Sequence, residues 1–175
     1  MPTGIEMSDP HTSPPMQLAQ NSSVGQPSNE REIGSDSAAL IIVDHQRGVF
    51  EEWEQLRNHR IAADPGPLQT RVAMLVRAAR ERGLPVVWAC LSRSERGLTD
   101  SISAHSTLAT VIRRRPSFCV IGDDSAQLYD PNLLEPHDGL ITRAGHSAFQ
   151  WTPLDRVLSR LKVDTCVVAG GAATQ

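Results

Sequence analysis

Residues 38–50, AALIIVDHQRGVF, decide how the rest of the chain is read. Ala39, Leu40, Ile41, Ile42 and Val43 form an unbroken apolar run that ends at Asp44, after which His45, Gln46, Arg47 and Gly48 break the pattern. Such a run, rich in β-branched residues and without alternation, suits a strand covered on both faces, as in a parallel sheet. Ligands of open α/β sheets gather beyond the carboxyl ends of the strands, so an acid at this point is placed for chemistry. Asp44 suits a second role equally well, as the cap of the turn that follows the strand.

Composition bounds what can be built around that strand. The 175 residues suffice for one domain with a core, and with 39% hydrophobic but only 4% aromatic residues that core must be mostly Val, Leu, Ile and Ala. Residues 1–37 hold five acids and one base, a net of −4 out of the total of −3, which leaves the remainder near +1. A body so close to neutral carries neither a nucleic-acid footprint nor a patch for anionic membranes. Arg113, Arg114 and Arg115 form one short basic run, read as a solvated helix end. Cys90, Cys119 and Cys166 are far apart and lack zinc-ligand or disulfide-framework spacing. Cys90 and Cys166 fall in apolar strand-like runs, where cysteine is usually a small buried hydrophobe. No apolar run approaches the ~18 residues of a membrane span, and no basic and apolar leader opens the chain, so a cytoplasmic protein is expected.

Residues 1–37 are rich in Pro, Ser, Gln and Asn and are expected to be a disordered tail. After the first strand, residues 51–64 (EEWEQLRNHRIAAD) suit a short helix or a loop over the sheet, with Trp53 either lining a pocket or covering a core edge. Leu68, Val72, Leu75, Val76 and Ala79 recur at helical spacing, which predicts an amphipathic helix over 67–82 with Arg77, Arg80 and Glu81 on its polar face. Pro67 fits its first turn and Gly83 its left-handed stop. A second strand, VVWACL at 86–91, completes a βαβ unit, which is right-handed and parallel in nearly all proteins. The polar loop SRSERG follows. Beyond it, 106–114 suits a helix, FCVI at 118–121 is too short to assign, and Pro131 and Pro136 mark turns. A third strand is expected at 139–142. Thr152 and Pro153 then start a helix that runs to about Lys162, with Leu154, Val157, Leu158 and Leu161 on one face. Residues 165–169, TCVVA, give a fourth strand, and Gly170 and Gly171 open a turn.

Three segments in this order, ALIIVDHQRGVF, RAGHSAFQWTPLDRVLSRL and VVAGGAATQ, resemble the isochorismatase-like cysteine hydrolases, relatives of isochorismatase and nicotinamidase. The resemblance spans about 38–175. It implies a three-layer α/β/α, Rossmann-like parallel sheet, here lacking its last strand and helix units. It also implies hydrolysis of an amide, a related C–N bond or a vinyl ether in a small molecule through a covalent cysteine intermediate. In the family's pattern Asp44, followed two residues later by Gln46, is the catalytic base. Arg143, four residues before Ser147, Ala148 and Phe149, holds the position of the catalytic lysine. Backbone N–H groups of the turn at Ala172, Ala173 and Thr174 would hold the oxyanion, with a non-proline cis peptide between Ala172 and Ala173. The nucleophile would fall two residues beyond Gln175, and Cys90, Cys119 and Cys166 match no catalytic position.

Several expectations follow from these departures. The chain as given is expected to be inactive, and TCVVA to become an exposed apolar edge that promotes poor solubility or self-association. The intact protein would be a homo-oligomer acting on a small molecule without a cofactor. Arginine keeps the charge of lysine, but its pKa above ~12 rules out proton donation, so only an electrostatic role survives the change. That substitution also supports an alternative, a non-catalytic family-like binding or oligomer partner. Some family members bind a metal; His45, His59, His105, His137 and His146 lack tight ligand spacing, and no metal site is expected. A nucleotide-binding fold lacks support, since neither GxGxxG nor GxxxxGK[ST] occurs. Specificity would reside in residues 45–64 and 92–138, neither of which names a substrate.

Overall fold

The structure is a computed structural model that describes residues 37–58, 66–98 and 100–171. The expected tail up to Asp36, His59 and the turn residues Ala172, Ala173 and Thr174 with their peptide bond lie outside that range. The opening run forms β1 (Ala38–Val43), an inner strand. It pairs in parallel with β2 (Val86–Leu91) on one side and β4 (Thr165–Gly170) on the other, while β3 (Gly139–Arg143) lies outside β2, giving the order β3-β2-β1-β4.

Because successive side chains of a strand point to opposite faces, the continuous apolar run of β1 feeds two cores. On one face Leu40 and Ile42 join Val86 and Trp88 beneath Val72, Val76 and Ala79 of α2 (Gly66–Glu81). On the other, Ala39 and Ile41 join Val87, Ala89 and Ile141 beneath Leu154 and Leu158 of α4 (Leu154–Arg160). Ile42 is fully buried, a side chain whose removal from water contributes about 1.5–3 kcal/mol. Helices on both faces of a parallel sheet make the expected three-layer α/β/α arrangement.

Local signals explain most element ends. Gly83 takes φ +70 at the stop of α2, and the Thr152 hydroxyl accepts the Leu154 N–H at 3.2 Å at the start of α4. Ser106 caps α3 (Thr107–Arg114) by accepting the Ala109 N–H at 3.1 Å. At the end of β4 the chain passes so close to β1 that a Cβ on Gly170, at φ +140, would stand 1.9 Å from the Val43 carbonyl oxygen. Only glycine fits there.

The structure corrects several expectations. α1 (Arg47–Asn58) begins inside the stretch read as a break in pattern, with Gly48 facing Ser125 so closely that a Cβ would lie 2.7 Å from the serine Cβ. Leu75 and Leu161, assigned to apolar faces, are 41% and 46% exposed. Arg80 leaves the polar face of α2 to donate to the Leu133 carbonyl and to Asp138, each at 2.6 Å. The basic run does close α3 with Arg113 and Arg114 exposed, and it also makes contacts: Arg114 pairs with Glu52, Arg115 with Glu51, and Arg113 donates to the Ala104 carbonyl at 3.0 Å. FCVI, too short to assign from sequence, forms a turn joined to the segment after β2 by Arg93 N–H to the Cys119 carbonyl and Ile121 N–H to the Arg93 carbonyl. Cys90 is buried as expected, whereas Cys166 is exposed. β4 is the outermost strand on its side among the described residues, and Val168 is 64% exposed. Among the described residues no helix is long and apolar enough to cross a membrane.

Candidate active site

Strand ends assemble the site. Asp44 follows β1 with φ 53, a left-handed conformation that Asp tolerates better than most residues. Its N–H still bonds the Ala89 carbonyl at 3.0 Å, and its carbonyl accepts the Gln46 N–H at 2.8 Å, so the turn is held on both sides. Arg143 closes β3, two strands away. Its side chain crosses the end of β2, where Nη2 donates to Asp44 Oδ2 and Nη1 to the Gly145 carbonyl. Residues 99 positions apart thus meet with side chains only 16% and 5% exposed, for Asp44 and Arg143 respectively. Asp44 Oδ1 and Arg143 Nε are buried without a protein partner.

Burial raises the Asp44 carboxyl above its ordinary 3.8, and the opposing pull of the Arg143 charge is the smaller influence. A carboxylate with raised proton affinity is the better general base, because it holds a proton it has taken. Asp44 takes part in the turn through its backbone alone, because its carboxylate bonds Arg143 and none of the N–H groups that follow in the turn. The Gln46 side chain, fully buried, is structural: Nε2 donates to the Leu91 and Ala126 carbonyls, and Oε1 accepts the Leu91 N–H, all at 2.8 Å. It ties the end of β2 to the short 3-10 turn Asp124–Ala126.

The pair opens on a cavity of about 270 Å³. Val49, Glu52 and Trp53 of α1 form one wall, Thr107, Leu108 and Val111 of α3 another, and Leu91, Phe118 and His146 complete it with Gly171. Trp53 therefore lines the pocket. Positions 49, 52 and 53 share one helical face, a signal readable only once α1 is taken to start at Arg47. The walls come from both stretches expected to carry specificity. Behind Phe118, the buried Arg93 holds the loops together: Nε donates to Asp100 Oδ2 at 2.8 Å, and Nη1 to the Pro116 and Phe118 carbonyls at 3.0 and 2.9 Å. Nothing in the polar string SRSERG marked Arg93 as buried, and Glu52 and His146 were likewise not singled out as cavity residues.

The thiols stand apart from this wall. Burial, then the charge of Asp44, pushes both Cys90 and Cys119 from 9.0 up to about 12. A thiol in that state is an inert core group. Cys166 is exposed on β4. His45 turns away into a cluster with Phe50, Trp88 and Tyr129, at ring distances of 5.1, 6.0 and 5.9 Å, and burial lowers it from 6.5 to about 4. Among the described residues no three His, Cys, Asp or Glu side chains gather into a metal-binding group.

The isochorismatase domain model matches residues 38–175. The chain belongs to the isochorismatase family. Two curated relatives are ureidoacrylate amidohydrolases RutB. The protein of Methylorubrum extorquens is 31% identical over 147 residues, 78% of this chain and 59% of its own length. That of Methylobacterium radiotolerans is 31% identical over 156 residues, 82% of this chain and 60% of its own. This isochorismatase-family chain thus spans about three fifths of the length of the curated relatives it matches. Its fold is that of a cysteine hydrolase from Pseudomonas syringae pv. phaseolicola, with a TM-score of 0.66 at 19% identity over 85% of this chain and 65% of that one.

Proposed function

We propose that this site serves hydrolysis of a C–N bond in a small amide, with Asp44 as general base and Arg143 as a fixed cation. The observation that carries the reading is the buried Asp44–Arg143 pair, joined across the end of β2 and facing a cavity of small-molecule size. The amidohydrolase names of the curated relatives support the same bond type. In this mechanism a cysteine thiol gives its proton to Asp44 and the thiolate attacks the amide carbonyl. The C–N bond then breaks, the amine leaves with the proton from Asp44, and water cleaves the thioester. Raised proton affinity suits Asp44 to both transfers. Arg143 cannot exchange protons near neutral pH, so its role is to hold Asp44 in place and favour the anionic forms.

Neither Cys90 nor Cys119 is poised as the thiol, and Cys166 does not reach the cavity wall. None of the three cysteines lies on the cavity wall, and the 175-residue chain is accordingly proposed to be inactive by itself; the family resemblance puts the nucleophile two residues after Gln175. The free thiols at 90, 119 and 166 support a reducing, cytoplasmic setting. Amine release from a panel of small amides tests the proposal. The 175-residue chain should give none. A protein with cysteine at that position should turn over, and Asp44→Asn should lower its rate by about 10²–10⁴-fold. Turnover by the 175-residue chain, or an Asp44→Asn protein of full activity, would overturn it. One observation favours a second reading, binding without chemistry: Arg143 occupies Asp44 Oδ2 directly. Under that reading the cysteine-bearing protein would bind amides without cleaving them.

A further inference from the structure

We infer that Glu52 is a specificity-determining residue of this cavity, selecting uncharged amide ligands and excluding carboxylates; the inference rests on the small-amide reading above. Among the described residues on the wall, the carboxylates of Asp44 and Glu52 face a single guanidinium, Arg143, with His146 as the other titratable group. Arg143 is already bonded to Asp44 through Nη2 and to the Gly145 carbonyl through Nη1, which leaves Nε as its unpartnered donor. Glu52 is held in place by Arg114, which is not on the wall and whose side chain is 57% exposed against 10% for Glu52. Val49, Leu91, Leu108, Val111 and Phe118 make the remaining surface apolar, which weakens the screening of like charges.

Hydrogen bonding points the same way. Asp44 Oδ1 is a buried acceptor and Arg143 Nε a buried donor, neither with a protein partner, and Glu52 lies on the α1 wall with Oε1 bonded to Arg114. An unpartnered acceptor beside an unpartnered donor calls for a ligand whose carbonyl comes with N–H donors, as in a primary amide or urea. A carboxylate brings none and would lose its hydration beside a like charge, a repulsive element of the kind that sets specificity. The volume of about 270 Å³ gives room for a ligand of about one substituted ring. Ureidoacrylate, a carboxylate, falls on the excluded side.

Binding of benzamide and benzoate to the 175-residue chain tests this, because the two probes match in shape and differ in charge. Saturation-transfer NMR titration at neutral pH reads affinity without requiring turnover, so failure of the hydrolase proposal leaves the result interpretable. Benzamide should bind at least about tenfold more tightly than benzoate. Glu52→Gln should close most of that gap by strengthening benzoate. Arg114→Gln, which leaves Glu52 without its counter-ion, should widen it, and it supplies a reading should Glu52→Gln fail to fold. Benzoate binding as tightly as benzamide, no benzamide binding, or a gap that neither variant moves in the stated direction would overturn the inference.

Discussion

β1 and β4 are neighbours in the sheet and read alike, AALIIV beside TCVVAG, yet their surroundings differ. β1 is buried from Ala38 to Ile42, beneath α2 on one face and α4 on the other. β4 is covered on one face only. Val167 and Ala169 pack into the core beneath α2, while Cys166 and Val168 on the opposite face are exposed. The cause is the reach of α4, whose Leu154 and Leu158 cover residues of β1, β2 and β3 but none of β4. The same contrast governs chemistry: the acid at the end of β1 is enclosed and perturbed, and the cysteine on β4 stands in the open.

The largest expected effect breaks the enclosed end. Arg143→Met leaves Asp44 with an unpaired, mostly buried charge and should cost about 3–5 kcal/mol at neutral pH by urea denaturation. The loss should shrink on acidification. Burial raises Asp44 above 3.8 in the fold, so its protonation favours the native state at low pH, and that contribution is lost as pH rises through the native value. An Asp44→Asn/Arg143→Met protein should regain most of the stability. A loss no larger than the ~1 kcal/mol or less expected for the exposed Arg47–Asp124 pair would show that enclosure does not govern this end.

Next comes the strand contrast itself. Ile42→Ala should cost about 2–5 kcal/mol and Val168→Ala no more than about 0.5, and equal losses would break the comparison. His45 sharpens it through pH. Its value falls from 6.5 to about 4 in the fold, so its contribution is present above pH 6.5 and is lost as pH falls toward 4. That limb should amount to roughly 3 kcal/mol and be flattened in His45→Leu, as read by thermal melts across the window. The smallest effect on folding lies at the edge. Val168→Lys should leave stability within about 0.5 kcal/mol of the parent while abolishing concentration-dependent association in sedimentation velocity. A parent chain that stays monomeric at all concentrations would remove β4 as an association edge.

The strands were legible because each is a short β-branched run bounded by polar or Gly residues, and α2 because Gly83 punctuates its end. Asp44 and Arg143 were legible as strand-end residues through a resemblance of ordered motifs, although nothing local shows that they touch. Leu75 and Leu161 misled for one reason: helical spacing reports which residues share a face, not how far the neighbouring layer extends over it. Arg93 misled for another. A charged side chain in a polar string looks solvated until its partners, the carbonyls at 116 and 118, arrive from a distant segment. Glu52 went unnoticed because the start of α1 was hidden behind Gly48, whose place in a helix depends on close contact with Ser125.

The sequence by itself determined the alternation of strands and helices, the parallel sheet and the placement of Asp44 at a strand's carboxyl end, because burial periodicity and turn chemistry are local. Only the tertiary structure decided the order β3-β2-β1-β4, the joining of Asp44 to Arg143 and the charge of the cavity wall. Those features depend on which distant segments fit against one another, and complementarity between remote surfaces leaves no periodic trace in either segment.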